Sequence, residues 1–85
     1  MMETIAFLLV PGFSAMGFIS AVEPLRVANR FGGQLYRWQV LSLDGEAVLA
    51  SNGMSINADA ALGEGEPANI LLVGAGLSLI HISEP

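Results

Sequence analysis

Two apolar runs that halt on glycine constrain this chain more than anything else in it. The first is Thr4 to Val10, TIAFLLV, stopped by Pro11-Gly12. The second is Asn69 to Gly76, NILLVGAG, stopped by Gly74 and Gly76. A short run that stays apolar at every position, rather than at every second one, suits a strand buried on both faces, as in a parallel sheet. Parallel strands need a crossover between them, and the residues between these two runs are long enough to supply helix and loops. The pattern predicts a layered α/β fold built from βαβ units, with a parallel sheet flanked by helices.

The intervening residues divide further. Ser14 follows the first turn and is suited to cap a helix, its hydroxyl accepting from a free N–H of the first turn. Met16, Ile19, Val22, Leu25 and Ala28 then recur at helical spacing, with Arg26 and Arg30 on a more polar side. Pro24 removes one helical hydrogen bond and crowds the preceding turn, which predicts a kink or a break near Glu23. Gly32-Gly33 ends the helix. From Leu35 to Leu43 the chain alternates, with Tyr36, Trp38, Val40 and Ser42 on one face and Arg37, Gln39 and Leu41 on the other, a strand with one face partly exposed. Asp44-Gly45 and Ser51-Asn52-Gly53 are turns on either side of a short strand, Val48 to Ala50. Met54 to Ala58 reads as extended, Asp59 as a cap on Ala60 to Leu62, and Gly63 to Pro67, GEGEP, as an exposed linker. The expected strands are therefore Ile5–Val10, Arg37–Ser42 and Ile70–Val73. The expected core is Phe7, Leu9, Ile19, Val22, Leu25, Val40, Leu71 and Val73.

Composition narrows function mainly by exclusion. Eighty-five residues make one small domain or a piece of a larger one. With 53% apolar and 13% charged residues, the chain is expected to bury a core. Net charge is −5, and the three basic residues are arginines (Arg26, Arg30, Arg37) with no lysine, so no basic DNA-reading patch is expected within the chain. No cysteine is present to form a disulfide, a thiolate metal site or a nucleophile. One histidine and dispersed carboxylates do not make a metal site, and no cofactor is expected. Met1-Met2-Glu3 lacks the positive charge of a secretion signal and neither apolar run spans a membrane, so a cytoplasmic location is the default. The GAG of Gly74 to Gly76 follows a strand but has Leu79 where a dinucleotide loop needs its third glycine, and reads as a tight turn. Trp38 reads as a core or sheet-face aromatic, with an interface role as the alternative.

Four segments carry a resemblance to a known family. FLLVPGFSAMGFISAVEPLRVANR (Phe7 to Arg30), LYRWQVLSLDG (Leu35 to Gly45), ASNGMSINAD (Ala50 to Asp59) and ILLVGAG (Ile70 to Gly76) together resemble the amino-terminal domain of AraC-family (GlxA-type) transcriptional regulators. That domain is a PfpI-like module related to class I glutamine amidotransferases. The resemblance implies a flavodoxin-like sheet, of which residues 1–76 would form the first part. It also implies a small-molecule effector, homodimerisation, and DNA binding through a carboxyl-terminal helix-turn-helix region that the 85 residues do not include. In such α/β sheets ligands gather at the carboxyl ends of strands, so Gly12, Phe13, Glu23 and Gly74 are candidate ligand-contacting residues. The alternative is a PfpI-like enzyme such as an amidase, hydratase or protease-like hydrolase. Enzymatic relatives place a glutamate in the first turn of the first helix to support a cysteine nucleophile. Gly17 takes that position here, so no carboxylate can orient a thiol, and no catalytic residue is expected. Ala75 also stands between Gly74 and Gly76, where relatives have two adjacent glycines.

The last nine residues read differently. LSLIHISEP, Leu77 to Pro85, is one frame of CTG TCT CTT ATA CAC ATC TCC GAG CCC, which resembles a transposase sequencing adaptor. On this reading His81, Ser78, Ser83 and Glu84 are foreign to the natural protein, and residues 77–85 are set apart from the domain.

Overall fold

The computed structural model describes residues 2–74 and 78–81. In chain order the elements are β1 (Glu3–Leu9), α1 (Ala15–Gly32), β2 (Tyr36–Ser42), β3 (Val48–Leu49), β4 (Ser55–Ile56), β5 (Ala60–Ala61), β6 (Ile70–Gly74) and β7 (Ser78–His81). Five of them form one sheet in the order β5-β2-β1-β6-β7, and β3 and β4 form a small antiparallel pair. β1 is central. It pairs in parallel with β2 (Phe7 opposite Val40) and with β6 (Leu9 opposite Gly74). The chain moves outward from β1 to β2 and β5 and then returns to β6 on the far side of β1. That reversal makes the carboxyl end of β1 a topological switch point, where doubly wound sheets form their crevices. The α/β class and the parallel sheet agree with the sequence reading.

β1 is buried from Ile5 to Leu9, as its unbroken apolar run requires. Its two faces meet different layers. On one, Leu9, Phe13, Ala15, Val48 and Ala50 form a core joined by Phe18, Val40 and Ile56, and α1 lies over it. Phe18 stands edge-on to both Phe7 (5.4 Å between ring centroids) and Phe13 (6.2 Å), the arrangement that aligns ring edge with ring face. On the other face Ala6, Leu8 and Leu41 pack with Ala60, Ala68, Leu71 and Val73. Among the described residues this second face is covered by loop and strand ends rather than by a helix.

Several expectations need correction. α1 runs without a break through Pro24. Pro24 and Ser20 are both on the exposed side, so the Ser20 carbonyl that loses its helical donor is open to water and the helix tolerates the ring. Ser14 caps as expected, accepting the Gly17 N–H at 3.0 Å, and Gly33 closes the helix at φ 84°, a conformation that suits glycine. Ile19 is 46% exposed, and Val22, Leu25, Val40, Leu71 and Val73 are half-buried. The core is instead supplied by Ala15, at the very start of α1, and by Phe13, Val48 and Ala50, whose turn and short-strand positions carry no helical periodicity. Asp59 does not cap a helix. Ala60–Ala61 is a strand, and the Asp59 carboxylate accepts the Val40 N–H at 2.7 Å.

The GEGEP linker is tied down rather than free. Gln39, 8% exposed, donates its Nε2 to the Glu66 carbonyl (2.6 Å) and accepts the Glu66 N–H on Oε1 (3.0 Å). Gly65 lies against the sheet so closely that a Cβ there would come within 2.5 Å of Gln39 Oε1 and 2.8 Å of Leu41. Asn69 makes a similar two-way bond with the backbone of Thr4. The tail strand β7 pairs antiparallel with β6, Leu71 opposite Ile80. The expectations for Ala75 to Leu77 and Ile82 to Pro85 lie outside the described residues.

Candidate functional site at the carboxyl edge of the sheet

The turn Pro11–Phe13 leaves β1 at the switch point and is stitched to the β3 segment. Gly12, at φ 86°, donates its N–H to the Leu49 carbonyl (2.8 Å), and the Phe13 carbonyl accepts from Ser51 (2.8 Å). These bonds hold β3 over the carboxyl ends of β1 and β2. Between them lies a pocket of about 390 Å³, lined by Leu9, Pro11, Ser42, Leu43, Asp44, Ala47, Val48 and Leu49. The walls are mainly apolar. The two polar side chains are held in place by the loop: Ser42 Oγ donates to the Glu46 carbonyl (2.8 Å), and Asp44 Oδ1 accepts the Glu46 N–H (3.0 Å) in an Asx turn. Ser42 is 2% exposed, so the pocket is floored by a fixed hydroxyl and rimmed by a carboxylate with unused lone pairs. Such a mixture suits a small, largely apolar molecule oriented by one or two polar contacts.

The four residues singled out from the sequence separate in space. Gly12 stands at the exit of β1 with its N–H already bonded to Leu49, and Gly74 lies opposite Leu9 at the carboxyl end of β6. Phe13 is 0% exposed and serves the core. Glu23 lies eight residues into α1 from Ala15, about 12 Å along the axis. It is exposed there and ion-paired with Arg26 at 2.8 Å. That pairing, first through the hydrogen bond and then through charge, holds the Glu23 carboxyl below its ordinary range and raises the Arg26 guanidinium. Gly12, Phe13 and Gly74 therefore lie at this edge and Glu23 does not, and none of the four lines the pocket. The lining residues Ser42, Leu43, Asp44, Ala47 and Leu49 escaped the sequence reading. Their signal was the Asp44-Gly45 turn directly after a strand, a carboxyl-end loop of the kind that carries ligand sites.

Gly17, in the first turn of α1, places no carboxylate at this edge, and its N–H is used by the Ser14 cap. Among the described residues no group of three or more His, Cys, Asp and Glu could hold a metal ion. None of their helices is long and apolar enough to cross a membrane.

Comparison with known proteins defines the class first. The fold is shared with a DJ-1 superfamily protein from Agrobacterium tumefaciens at a TM-score of 0.65 and 22% identity, covering 88% of this chain and 38% of that one. It is also shared with an AraC family transcriptional regulator from Pseudomonas putida, TM-score 0.76 and 30% identity, covering 92% of this chain and 49% of that one. In sequence, the homologues are helix-turn-helix-type transcriptional regulators. The chain is 61% identical over 79 residues to the regulator CdhR of Pseudomonas aeruginosa, covering 93% of this chain and 24% of that protein. It is 40% identical over 75 residues to the regulator GlxA of Rhizobium meliloti, covering 87% of this chain and 23% of that protein. It thus spans about a quarter of the length of the curated relatives it matches. No family model matches the chain.

Proposed function

We propose that this chain is part of the ligand-sensing and dimerising domain of a cytoplasmic AraC-family, GlxA-type transcriptional regulator, and that the carboxyl-edge pocket takes the effector. The observation that carries the reading is the 61% identity to a transcriptional regulator along 93% of the chain. Charge supports a division of labour. Two of the three arginines are ion-paired, Arg26 with Glu23 and Arg37 with Glu66, which leaves little to grip a phosphate backbone. DNA contact would belong to a helix-turn-helix region outside these residues. An enzymatic role has less support, since Gly17 supplies no carboxylate beside the edge.

A chimera tests this reading. Residues 2–74 replace the matching segment of the Pseudomonas aeruginosa regulator, and transcription from its promoter is measured with and without inducer. The expected result is regulated transcription that is lost when Ala47→Trp fills the pocket while DNA binding persists. Regulation unaffected by Ala47→Trp would remove the pocket from the account.

We further propose that residues 77–85 are foreign to the natural protein, in which case β7 is a strand added to the free edge of β6. Independent reads of the source DNA check it. A genome in which the Gly76 codon runs intact into the LSLIHISEP codons would refute the proposal and return His81 to consideration.

A further inference from the structure

A second recess lies at the opposite, amino edge of the sheet. It has a volume of about 580 Å³ and is lined by Met2, Asn29, Arg30, Gln34, Tyr36, Trp38 and the Arg37 segment of β2. Val40 belongs to the core beneath α1. By strand alternation, Tyr36 and Trp38 share that face and present half-buried aromatic surface beside the last turn of α1. Arg30, in that turn, is exposed and forms no ion pair among the described residues, whereas Arg26 and Arg37 are paired with Glu23 and Glu66. The Asn29 amide is consumed: Oδ1 accepts from Leu35 and Tyr36, and Nδ2 donates to the Tyr36 carbonyl. Arg30 and Gln34, with the Tyr36 hydroxyl and the Trp38 indole N–H, are thus the polar groups left for an occupant.

The backbone decides between a small molecule and an added strand. Along the outer edge of β2 the Tyr36 backbone is bonded by Asn29, and the Val40 backbone by Asp59 through both its carboxylate and its N–H. Only Trp38, between them, lacks such a clamp. One open rung is too short for a ladder to an extended peptide, whose bonds recur at every second residue.

We propose that this recess binds a small aromatic carboxylate, the flat ring lying on Trp38 and Tyr36 and the carboxylate meeting Arg30. A guanidinium offers paired donors to a carboxylate, and an aromatic floor favours a ring over an aliphatic chain. The site is independent of the carboxyl-edge pocket and of the regulator reading.

Trp38 is the single tryptophan, so its emission reports directly on the recess. The 85-residue chain is titrated with benzoate, benzyl alcohol and acetate. Benzoate is expected to give a saturable change with a Kd of about 1 mM, a scale suited to so small a ligand. Benzyl alcohol, without the charge, and acetate, without the ring, should give none. Arg30→Gln, at an exposed position where circular dichroism should be unchanged, is expected to weaken benzoate about tenfold. Leu49→Gln, at the other pocket, should leave it unchanged. Absence of saturation with benzoate, an equal response to benzyl alcohol, or an Arg30→Gln chain that binds as the parent does would each overturn the site.

Discussion

The two faces of the sheet are held by different physics. Beneath α1 the contacts are apolar and interlocked, with Phe7, Phe13 and Phe18 edge-to-face and Leu9, Ala15, Val48 and Ala50 closed around them. On the other face a smaller apolar group is covered by a loop, and side-chain amides and carboxylates fasten loop and strand ends to the sheet: Gln39 to Glu66, Asn69 to Thr4, Asp59 to Val40. Dispersion and burial act over many atoms and survive small shifts. A clamp depends on a few distances and gains only the difference between a protein and a water partner. The helix layer should therefore carry most of the stability, and the loop layer should be the part that can open.

The strongest challenge to that division is Phe13→Ala. Phe13 is wholly buried, so its loss should cost about 3–5 kcal/mol and leave the chain largely unfolded at room temperature. A urea transition at an unchanged midpoint would show that the aromatic layer is not the main support. Pro24→Ala acts in the same layer with opposite sign. Restoring the N–H opposite Ser20 and removing the ring should raise stability by about 1–2 kcal/mol, after allowance for the freer unfolded chain. Thermal melts of the two chains decide it.

Gln39→Leu probes the other layer. It should cost about 1 kcal/mol, because the Glu66 backbone can find water once the loop lifts. Loss comparable to Phe13→Ala would mean that the clamp is part of the main core. The smallest effect belongs to Glu23. Its folded carboxyl titrates below the ordinary value, so whatever the Arg26 pair contributes is present above the unfolded carboxyl's pKa and lost as pH falls through the folded one. Both side chains are about half exposed, so Glu23→Gln should shift the midpoint barely at neutral pH and not at all in strong acid or high salt. A shift that persists in high salt would contradict this.

The same contrast explains what could be read from the sequence. The apolar runs of β1 and β6 and the alternation of β2 are local patterns, and they were legible as strands. The Ser14 cap and the Gly33 stop were legible for the same reason. Pro24 misled because its cost depends on whether the freed carbonyl meets water, which only the fold reveals. The buried residues Phe13, Val48 and Ala50 sit in a turn and a short strand, segments too brief to show a period. Clamps join residues 19 to 65 positions apart, as with Asp59–Val40 and Asn69–Thr4, and nothing local marks a glutamine or asparagine as one. None of the candidate ligand-contacting residues lines the pocket: strand ends pointed to the edge, while Ser42, Leu43 and Leu49 needed the β3 segment in place.

Segments that respond to ligands are drawn from the less stable parts of a fold, so the independence of the two layers bears on the proposed effector response as well as on stability. Native-state hydrogen exchange in increasing urea measures it directly. The amides of Asp59, Glu66 and Asn69 are expected to exchange through a local opening, well before those of Phe7 and Leu9. Gln39→Leu should speed Glu66 while leaving Phe7 and Leu9 at their former rates relative to global unfolding. Exchange of all these amides in a single step, with Gln39→Leu shifting them together, would contradict it.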